Sequence, residues 1–337
     1  MQSFVPLICP EHAVSLAAPE GPADAYRCPA GCEFPVVEGI PRFVPAGNYA
    51  ASFGLQWNTF RRTQLDSHTG TALSRDRLTR IAGGSLDVCR GKDILEAGCG
   101  AGRFTEILLS MGARVFAADL STAVEANYAN CGGAPGYFVC QADITRLPLA
   151  PGQFDIVVCV GVVQHTPDPE RTMAALCSHV KPGGLLMMDH YPPNYPATPM
   201  RRLLRRYLLR RTREQALRFC TKLVDALWPL HRWFWRAFRE SPLARVPLVP
   251  KARSVFLRIS PIVDYHDAYP QLGPELLKTW ALLDTHDTLT DVYKHLRSRE
   301  QIVDHLQRCG MEGVEANLGG NGIEARAWKP ARSGSEA

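Results

Sequence analysis

With 337 residues, 46% hydrophobic and 21% charged, the chain has the composition of an ordinary globular protein of one large domain or two modest ones. Its formal net charge of +5 is too small to demand a nucleic-acid partner. No apolar run approaches the roughly 18–20 residues of a membrane-spanning helix, the start "MQSFVPLICPEH" lacks the pattern of a signal peptide, and the eleven cysteines read as reduced thiols of a cytoplasmic protein.

Residues 1–47 are rich in Cys, Pro and Gly and carry little periodicity. Cys9, His12, Cys28 and Cys32 form C-x2-H followed by C-x3-C. Four soft ligands in two pairs suit tetrahedral zinc, which orders segments too small to fold on their own core. The alternatives are a metal-free ribbon or incidental thiols. Residues 48–91, including "FGLQWNTFRRTQLD", read as a lead-in of short helices.

From 92 to 190 apolar strands alternate with helical segments. "KDILEA" is a buried strand, and Phe104, Ile107, Leu108 and Met111 recur at helical spacing until Gly112 stops the helix. "RVFAAD" is a second strand ending at Asp119, and "STAVEANYAN" a helix with Thr122 and Glu125 spaced as a capping box. "YFVCQAD" and "FDIVVCVG" are the third and fourth strands. Asp168 and Pro169 start a further helix, and "KPGG" turns the chain into a fifth strand, "LLMMDH". Such alternation implies a parallel sheet with helices on both faces, ligands binding at the carboxyl ends of its strands. Gly98, Gly100, Gly102, Asp119, Asp143, Gly161–His165 and His190 all fall at those ends.

The glycines follow "ILEA" as G-x-G-x-G, preceded by Glu96, rather than the G-x-G-x-x-G of a pyrophosphate binder. A cofactor without phosphates needs no helix N-terminus as an anion trap. A second carboxylate, Asp143, ends the third strand, where it either reads an adenine amino group or caps a helix.

"LEAGCGAGRF", "AADLS", "QADITRLPLAPGQFDIVVCVGVVQHTPDPE" and "VKPGGLLMMDHY" together resemble the ordered motifs of class I S-adenosylmethionine-dependent methyltransferases. The resemblance implies a Rossmann-like, seven-stranded, doubly wound α/β sheet, with a small N-terminal Cys-rich ribbon and a mainly helical insertion. It implies that Glu96, Gly98, Gly100 and Gly102 line the methionine and ribose portion of the cofactor. Asp119 and Leu120 would meet the ribose, Asp143 and Ile144 the adenine, and Gly161 and Gln164 the sulfonium. "FPVVEGIPRFVP" resembles the close of a zinc ribbon that precedes some bacterial methyltransferases, and "NYAASFGLQWNTF" a helical lid in which Gln56 and Trp57 are candidate cofactor contacts. Methyl transfer from a sulfonium is an in-line displacement, so alignment and exclusion of water are the protein's main contributions. A base is needed only for a hydroxyl or amine acceptor. His165 and His190 are the candidates.

Residues 191–298 exceed what a minimal methyltransferase needs and are assigned to acceptor recognition. "PMRRLLRRYLLRRTREQALRF" and "LWPLHRWFWRAF" read as a helix on an anionic membrane surface, as a site for an anionic glycoconjugate, or as a solvated basic helix, with nucleic acid disfavoured. Tyr191, Asp284, His286, Asp287, Tyr293 and His295 are the acceptor-binding candidates, the stretch from 284 to 298 being dense enough in polar groups to close over the cleft. A last helix and a closing strand pair are expected over 299–330, and a disordered tail over 331–337. The expected function is therefore methylation at oxygen of a small-molecule, glycoconjugate or lipid-linked acceptor, with S-adenosylmethionine and structural zinc as cofactors, in the cytoplasm or at a membrane surface. The alternatives are a nucleic-acid methyltransferase and a catalytically silent cofactor-binding partner.

Overall fold

The computed structural model describes residues 2–21, 24–45, 47–196, 198–239 and 248–331, with backbone alone at 238–239 and 248–251. The tail expected over 331–337 lies, from 332 onward, outside the described residues. The chain divides into two compact units: Met1–Arg61, Ala72–Tyr195 and Tyr293–Ala337 form one, and Arg62–Thr71 with Pro196–Val292 the other.

The first unit begins with three antiparallel strands in the order β1-β2-β3: β1 (Ala25–Arg27), β2 (Glu33–Val37) and β3 (Ile40–Pro41). Val37 pairs with Ile40 across a two-residue turn in which Glu38 and Gly39 have φ of 53° and 80°. Positive φ at both central residues matches the twist of a tight hairpin. Helices α1 (Ala51–Thr59), α2 (Asp66–Thr69) and α3 (Leu73–Ile81) then lead to the main sheet, α2 belonging to the second unit.

That sheet has seven strands. Strands β4 (Asp93–Ala97), β5 (Arg114–Asp119), β6 (Tyr137–Gln141), β7 (Phe154–Cys159) and β8 (Val180–His190) are parallel, and β9 (Glu312–Leu318) and β10 (Ile323–Trp328) close it antiparallel. The order β6-β5-β4-β7-β8-β10-β9 reverses direction between β4 and β7, which is where a doubly wound sheet binds its ligand. Alternate residues face alternate cores. Leu95, Phe116, Phe138, Val157 and Leu186 pack with the ribbon's Tyr26, Phe34 and Phe43 and with helices α6 (Pro169–His179) and α11 (Arg299–Arg308). Ile94, Val115, Val139, Ile156 and Leu185 pack with α3, α4 (Thr105–Ser110) and α5 (Ala123–Cys131). Burial on both faces is why these strands read as continuous apolar runs.

Two local expectations are corrected. Thr122 stands at the N-cap of α5 without a side-chain cap bond. Ser121 Oγ takes the Ala123 N–H instead at 3.2 Å, and the Glu125 carboxylate pairs with the Arg42 guanidinium at 3.0 Å. "KPGG" does not separate helix from strand: β8 already runs from Val180, and the glycines fall where its pairing with β7 slips between Phe154 and Ile156. Asp168 does cap α6, accepting from the Arg171 N–H at 2.9 Å ahead of Pro169.

The second unit is helical: α7 (Pro199–Leu208), α8 (Arg213–Arg239), α9 (Leu248–Ile259) and α10 (Pro274–Thr290). Ala216, Cys220, Val224, Trp228 and His231 recur every three or four residues as the buried stripe of α8. Two arginines that sequence assigns to a basic surface are structural. Arg201 donates to the Pro261 and Ile262 carbonyls at 3.1 and 2.8 Å, and Arg205 grips the wholly buried Asp291 carboxylate at 2.7 Å. Asp264 holds two imidazoles, His231 Nδ1 at 2.6 Å and His266 Nδ1 at 2.7 Å, and His231 Nε2 lies 2.8 Å from Ser260 Oγ. Among the described residues no helix is long and apolar enough to cross a membrane.

Candidate active site

The turn after β4 is built from backbone. Gly98 has φ of 81°, and a Cβ there would come within 2.3 Å of the Val162 side chain, so a side chain is excluded by both conformation and space. The Gly98 N–H donates to the Ala118 carbonyl at 2.7 Å, tying the turn to the end of β5. Trp57 of α1 lies over the next glycine, 3.5 Å from where a Gly100 Cβ would be.

A buried polar chain supports this turn. Tyr137 OH donates to Asn127 Oδ1 at 2.7 Å, Asn127 Nδ2 to Thr105 Oγ1 at 3.0 Å, and Thr105 Oγ1 to Glu96 Oε2 at 2.6 Å. Burial lifts the Glu96 carboxyl to about 8 despite the Thr105 bond, so at neutral pH it holds its proton. Glu96 thus serves the loop from beneath, as a buried neutral acid.

At the end of β5 the Asp119 carboxylate accepts from Gly100 N–H at 3.0 Å, and from Ser121 N–H and Oγ at 2.8 and 2.7 Å. Burial raises its pKa, and these three donors oppose the rise. A carboxylate has about four acceptor sites, so the anchored group keeps capacity for a hydroxyl. The following carbonyl, of Leu120, takes two amides: Asn48 Nδ2 at 2.8 Å and Gln141 Nε2 at 2.9 Å.

Asp143 follows β6 and uses one oxygen, Oδ1, to accept from Thr145 N–H and Oγ1 at 2.8 and 2.9 Å, so it does cap the short turn Ile144–Arg146. Oδ2 has no bond among the described residues. The Tyr49 hydroxyl lies in the field of both carboxylates: burial first, then Asp143 and Asp119, raise its pKa well above the usual tyrosine range.

Beyond β7 the Gly161 N–H donates to Asp189 Oδ1 at 2.6 Å, and Asp189, 2% exposed, is also paired with Arg77 of α3. Gln164 is fully buried. Its carbonyl accepts from His295 N–H at 2.9 Å, while both atoms of its side-chain amide lack a partner among the described residues. A buried amide without partners is costly unless a bound molecule meets it. His165 Nδ1 lies 3.2 Å from the Tyr293 carbonyl, and its ring packs against Phe53 and Tyr191.

His190 is 1% exposed at the end of β8. Its Nδ1 lies 3.0 Å from the Tyr191 carbonyl, which fixes that nitrogen as the donor and leaves Nε2 as a lone pair without a partner among the described residues. Burial lowers its pKa, so the ring is neutral near pH 7. Tyr191 stacks on Tyr195 at 3.8 Å, Lys294 lies over both rings, and Tyr293 meets Tyr49 edge-on at 5.2 Å.

The first unit thus brings together Gly98, Gly100, Asp119, Leu120 and the surroundings of Asp143, and separately Gln164, His165, His190, Tyr191, Tyr293 and His295. Asp284, His286 and Asp287 belong to α10 of the second unit. There Asp284 accepts from the Tyr265 hydroxyl, and burial lowers His286 to about 4. Sequence reading misses Asn48, Tyr49, Arg77 and Asp189, none of which stands in a glycine turn; the carboxylate closing "LLMMD" is the single available signal.

In the ribbon, His12 Nδ1 lies 3.5 Å from each of the Cys9, Cys28 and Cys32 sulfurs, and all four ligand atoms fall within 4.8 Å of one another. With Zn–S of about 2.3 Å and Zn–N of about 2.0–2.1 Å, a tetrahedron has an N···S edge of about 3.6 Å, so the donor set fits zinc. The three-residue gap is absorbed where Gly31 takes φ of 96°, which lets the Cys28 N–H reach the Cys32 carbonyl at 2.8 Å. Burial pushes the Cys9 thiol up, but hydrogen bonds from the Glu11 backbone and the His12 ring bring it down to about 7.

Residues 95–188 match the family model described as "Methyltransferase domain". A ubiquinone biosynthesis O-methyltransferase of Coxiella burnetii (strain RSA 493 / Nine Mile phase I) is 34% identical over 111 residues, 32% of this chain and 47% of that protein. Its namesake from Chromobacterium violaceum is 37% identical over 97 residues, 28% of this chain and 42% of that protein. The chain therefore spans about half the length of the curated relatives it matches. Among solved structures, an S-adenosylmethionine dependent methyltransferase from Mesorhizobium loti aligns with a TM-score of 0.43 at 16% identity, covering 74% of this chain and 96% of that one.

Proposed function

We propose that this chain, whose residues 95–188 match a methyltransferase domain, is a class I S-adenosylmethionine-dependent methyltransferase that methylates an oxygen of a small-molecule, glycoconjugate or lipid-linked acceptor. S-adenosylmethionine, when bound, supplies the methyl group. The chain's own residues do the rest. The Gly98 turn admits the cofactor close to backbone, and Asp119 accepts from ribose hydroxyls as a charge-assisted partner. Asp143 Oδ2, with the backbone of Ile144, reads adenine. Gly161 and the Gln164 amide border the reacting group. Tyr191, Tyr293 and His295 contact the acceptor.

The observation that carries oxygen as the acceptor atom is His190: a buried, neutral imidazole with Nδ1 committed and the Nε2 lone pair unpartnered among the described residues is set to take a hydroxyl proton as the methyl arrives. His165, whose Nδ1 faces the Tyr293 carbonyl, holds the return segment in place. The test is transfer of labelled methyl from S-adenosylmethionine into an extract fractionated into lipid, glycan, small molecules, protein and nucleic acid. Label in nucleic acid alone, or none despite tight cofactor binding, defeats the proposal.

Two additions belong to the same reading. Cys9, His12, Cys28 and Cys32 hold one structural zinc that orders the ribbon. On α7, Met200, Leu203 and Tyr207 are exposed at one-turn spacing beside exposed Arg202 and Arg206, a face suited to shallow contact with anionic lipid. Flotation with anionic but not neutral vesicles, lost in Leu203→Glu, is the expected result; equal recovery with both vesicle types removes the membrane contact.

A further inference from the structure

The ribbon does more than cover a face of the sheet. Its last strand continues into Arg42, which bridges Gln141 in parallel fashion, and the Phe43 N–H donates to the Gln141 carbonyl at 2.8 Å. The ribbon thereby covers the last residue of the open edge at β6, whose backbone would otherwise be unpaired there. The Arg42 side chain, 9% exposed, then turns inward. It donates through Nη1 to Gln141 Oε1 at 3.2 Å and through Nη2 to Glu125 Oε1 of α5 at 3.0 Å.

Gln141 has a two-ended amide, and Arg42 fixes which end points where. With Oε1 held by the guanidinium, Nε2 is directed at the Leu120 carbonyl, 2.9 Å away. Asn48, in the segment that leaves the ribbon, supplies the second donor to that carbonyl at 2.8 Å. Leu120 follows Asp119 directly, so its carbonyl defines the peptide plane from which the Ser121 N–H returns to Asp119 Oδ1 at 2.8 Å. The guanidinium also holds Glu125 in the first turn of α5, the helix that this turn begins.

We propose that Arg42 is a positioning residue for the cofactor: it transmits the order of the Cys9–His12–Cys28–Cys32 ribbon through Gln141 to the Asp119–Ser121 turn, so that zinc in the ribbon tightens cofactor binding. The inference rests on the cofactor and zinc readings above. A metal that only stabilised the ribbon would leave the Asp119 turn unchanged. In the relay, loss of ribbon order releases Arg42, frees the Gln141 amide to rotate, and leaves the Leu120 carbonyl with Asn48 as its remaining side-chain donor.

The experiment is calorimetric titration of the full chain with S-adenosylhomocysteine, far below the melting temperature, for wild type and Arg42→Met, each zinc-loaded and zinc-depleted. Mutations along coupled networks shift binding by about 0.5–2 kcal/mol, or roughly two- to thirtyfold in Kd. Arg42→Met and zinc depletion should each weaken binding within that range. Depleting zinc from Arg42→Met should add little, because both act on one path. Arg42→Lys, which keeps the charge without the two-pronged geometry, should give an intermediate value. If Arg42→Met does not fold, Asn48→Ala, which acts on the same carbonyl from outside the ribbon, should weaken binding while zinc depletion weakens it further.

Unchanged affinity in Arg42→Met overturns the relay even if its melting temperature falls. Equal losses on zinc depletion with and without Arg42 overturn it as well. Wild type that fails to bind S-adenosylhomocysteine overturns the cofactor reading and the relay with it, and is distinguished from the first two outcomes by that same titration.

Discussion

Thr105 Oγ1 donates to Glu96 Oε2 at 2.6 Å, inside a polar chain that runs beneath the Gly98 turn from Tyr137. Because burial raises Glu96 to about 8 from an ordinary 4.5, the native state keeps a proton that the unfolded chain releases between those values. Its contribution to stability is therefore full below pH 4.5 and is lost as pH rises toward 8. At about 1.4 kcal/mol per unit of pKa, the effect amounts to a few kcal/mol. Glu96→Gln, which keeps an acceptor for Thr105, should flatten the fall in melting temperature between pH 5 and pH 8. Parallel melting curves for variant and wild type across that interval would place the titration elsewhere.

The Gly98 turn should not tolerate a methyl group. Gly98→Ala meets Val162 and a φ of 81° together, so a loss of about 1–3 kcal/mol is expected from strain at a special backbone position. Val162 must move, and it belongs to the Gly161–Gln164 loop, so S-adenosylhomocysteine affinity should fall as well. Retained affinity in calorimetry would show that the turn yields without disturbing the site.

His190→Gln should lower kcat by about 10²–10⁴-fold, the usual worth of a positioned base, while leaving S-adenosylhomocysteine binding intact. Since burial lowers the ring's pKa from 6.5, the neutral, active form persists below the usual histidine range. The acid limb of kcat/KM should accordingly lie below pH 6.5 and disappear in the variant. His165→Gln should change KM more than kcat. Undiminished kcat in His190→Gln removes the base.

Metal analysis of the purified protein should return one zinc per chain. Cys28→Ser should lower that content and the resistance of residues 1–47 to protease, because binding free energy is folding free energy in a segment this small. Zinc-free protein with an equally resistant ribbon would mark the four residues as ordinary thiols and a histidine.

Arg205→Ala should destabilise the helical unit by about 3–5 kcal/mol, the cost of depriving a buried carboxylate of its cation, since Asp291 is wholly buried against Arg205. Arg206→Ala, an exposed neighbour on α7, should stay within about 0.5 kcal/mol. Denaturant unfolding that finds the two variants equal would return Arg205 to the solvated face.

Wherever local chemistry dictates the result, the sequence was sufficient. Apolar runs of strand length between helical periods, ending in Gly98, Asp119, Asp143 and His190, defined the sheet and the edge where its polar loops gather, because both faces of a parallel sheet must be buried and its loops carry the polar ends. The methyltransferase domain was legible in the same motifs, and the pairs Cys9/His12 and Cys28/Cys32 announced a donor set by spacing. Tertiary structure alone decided which partner each long side chain takes. Glu125 looked like half of a capping box until Arg42, 83 positions away, claimed it. Arg201 and Arg205 looked solvated until they found carbonyls and Asp291 up to 86 positions away. Asp189, Arg77, Asn48 and Tyr49 gained their places only when distant segments met. A flexible polar side chain satisfies itself with whichever complementary group the folded backbone brings within about 3 Å, and sequence spacing carries no record of that choice.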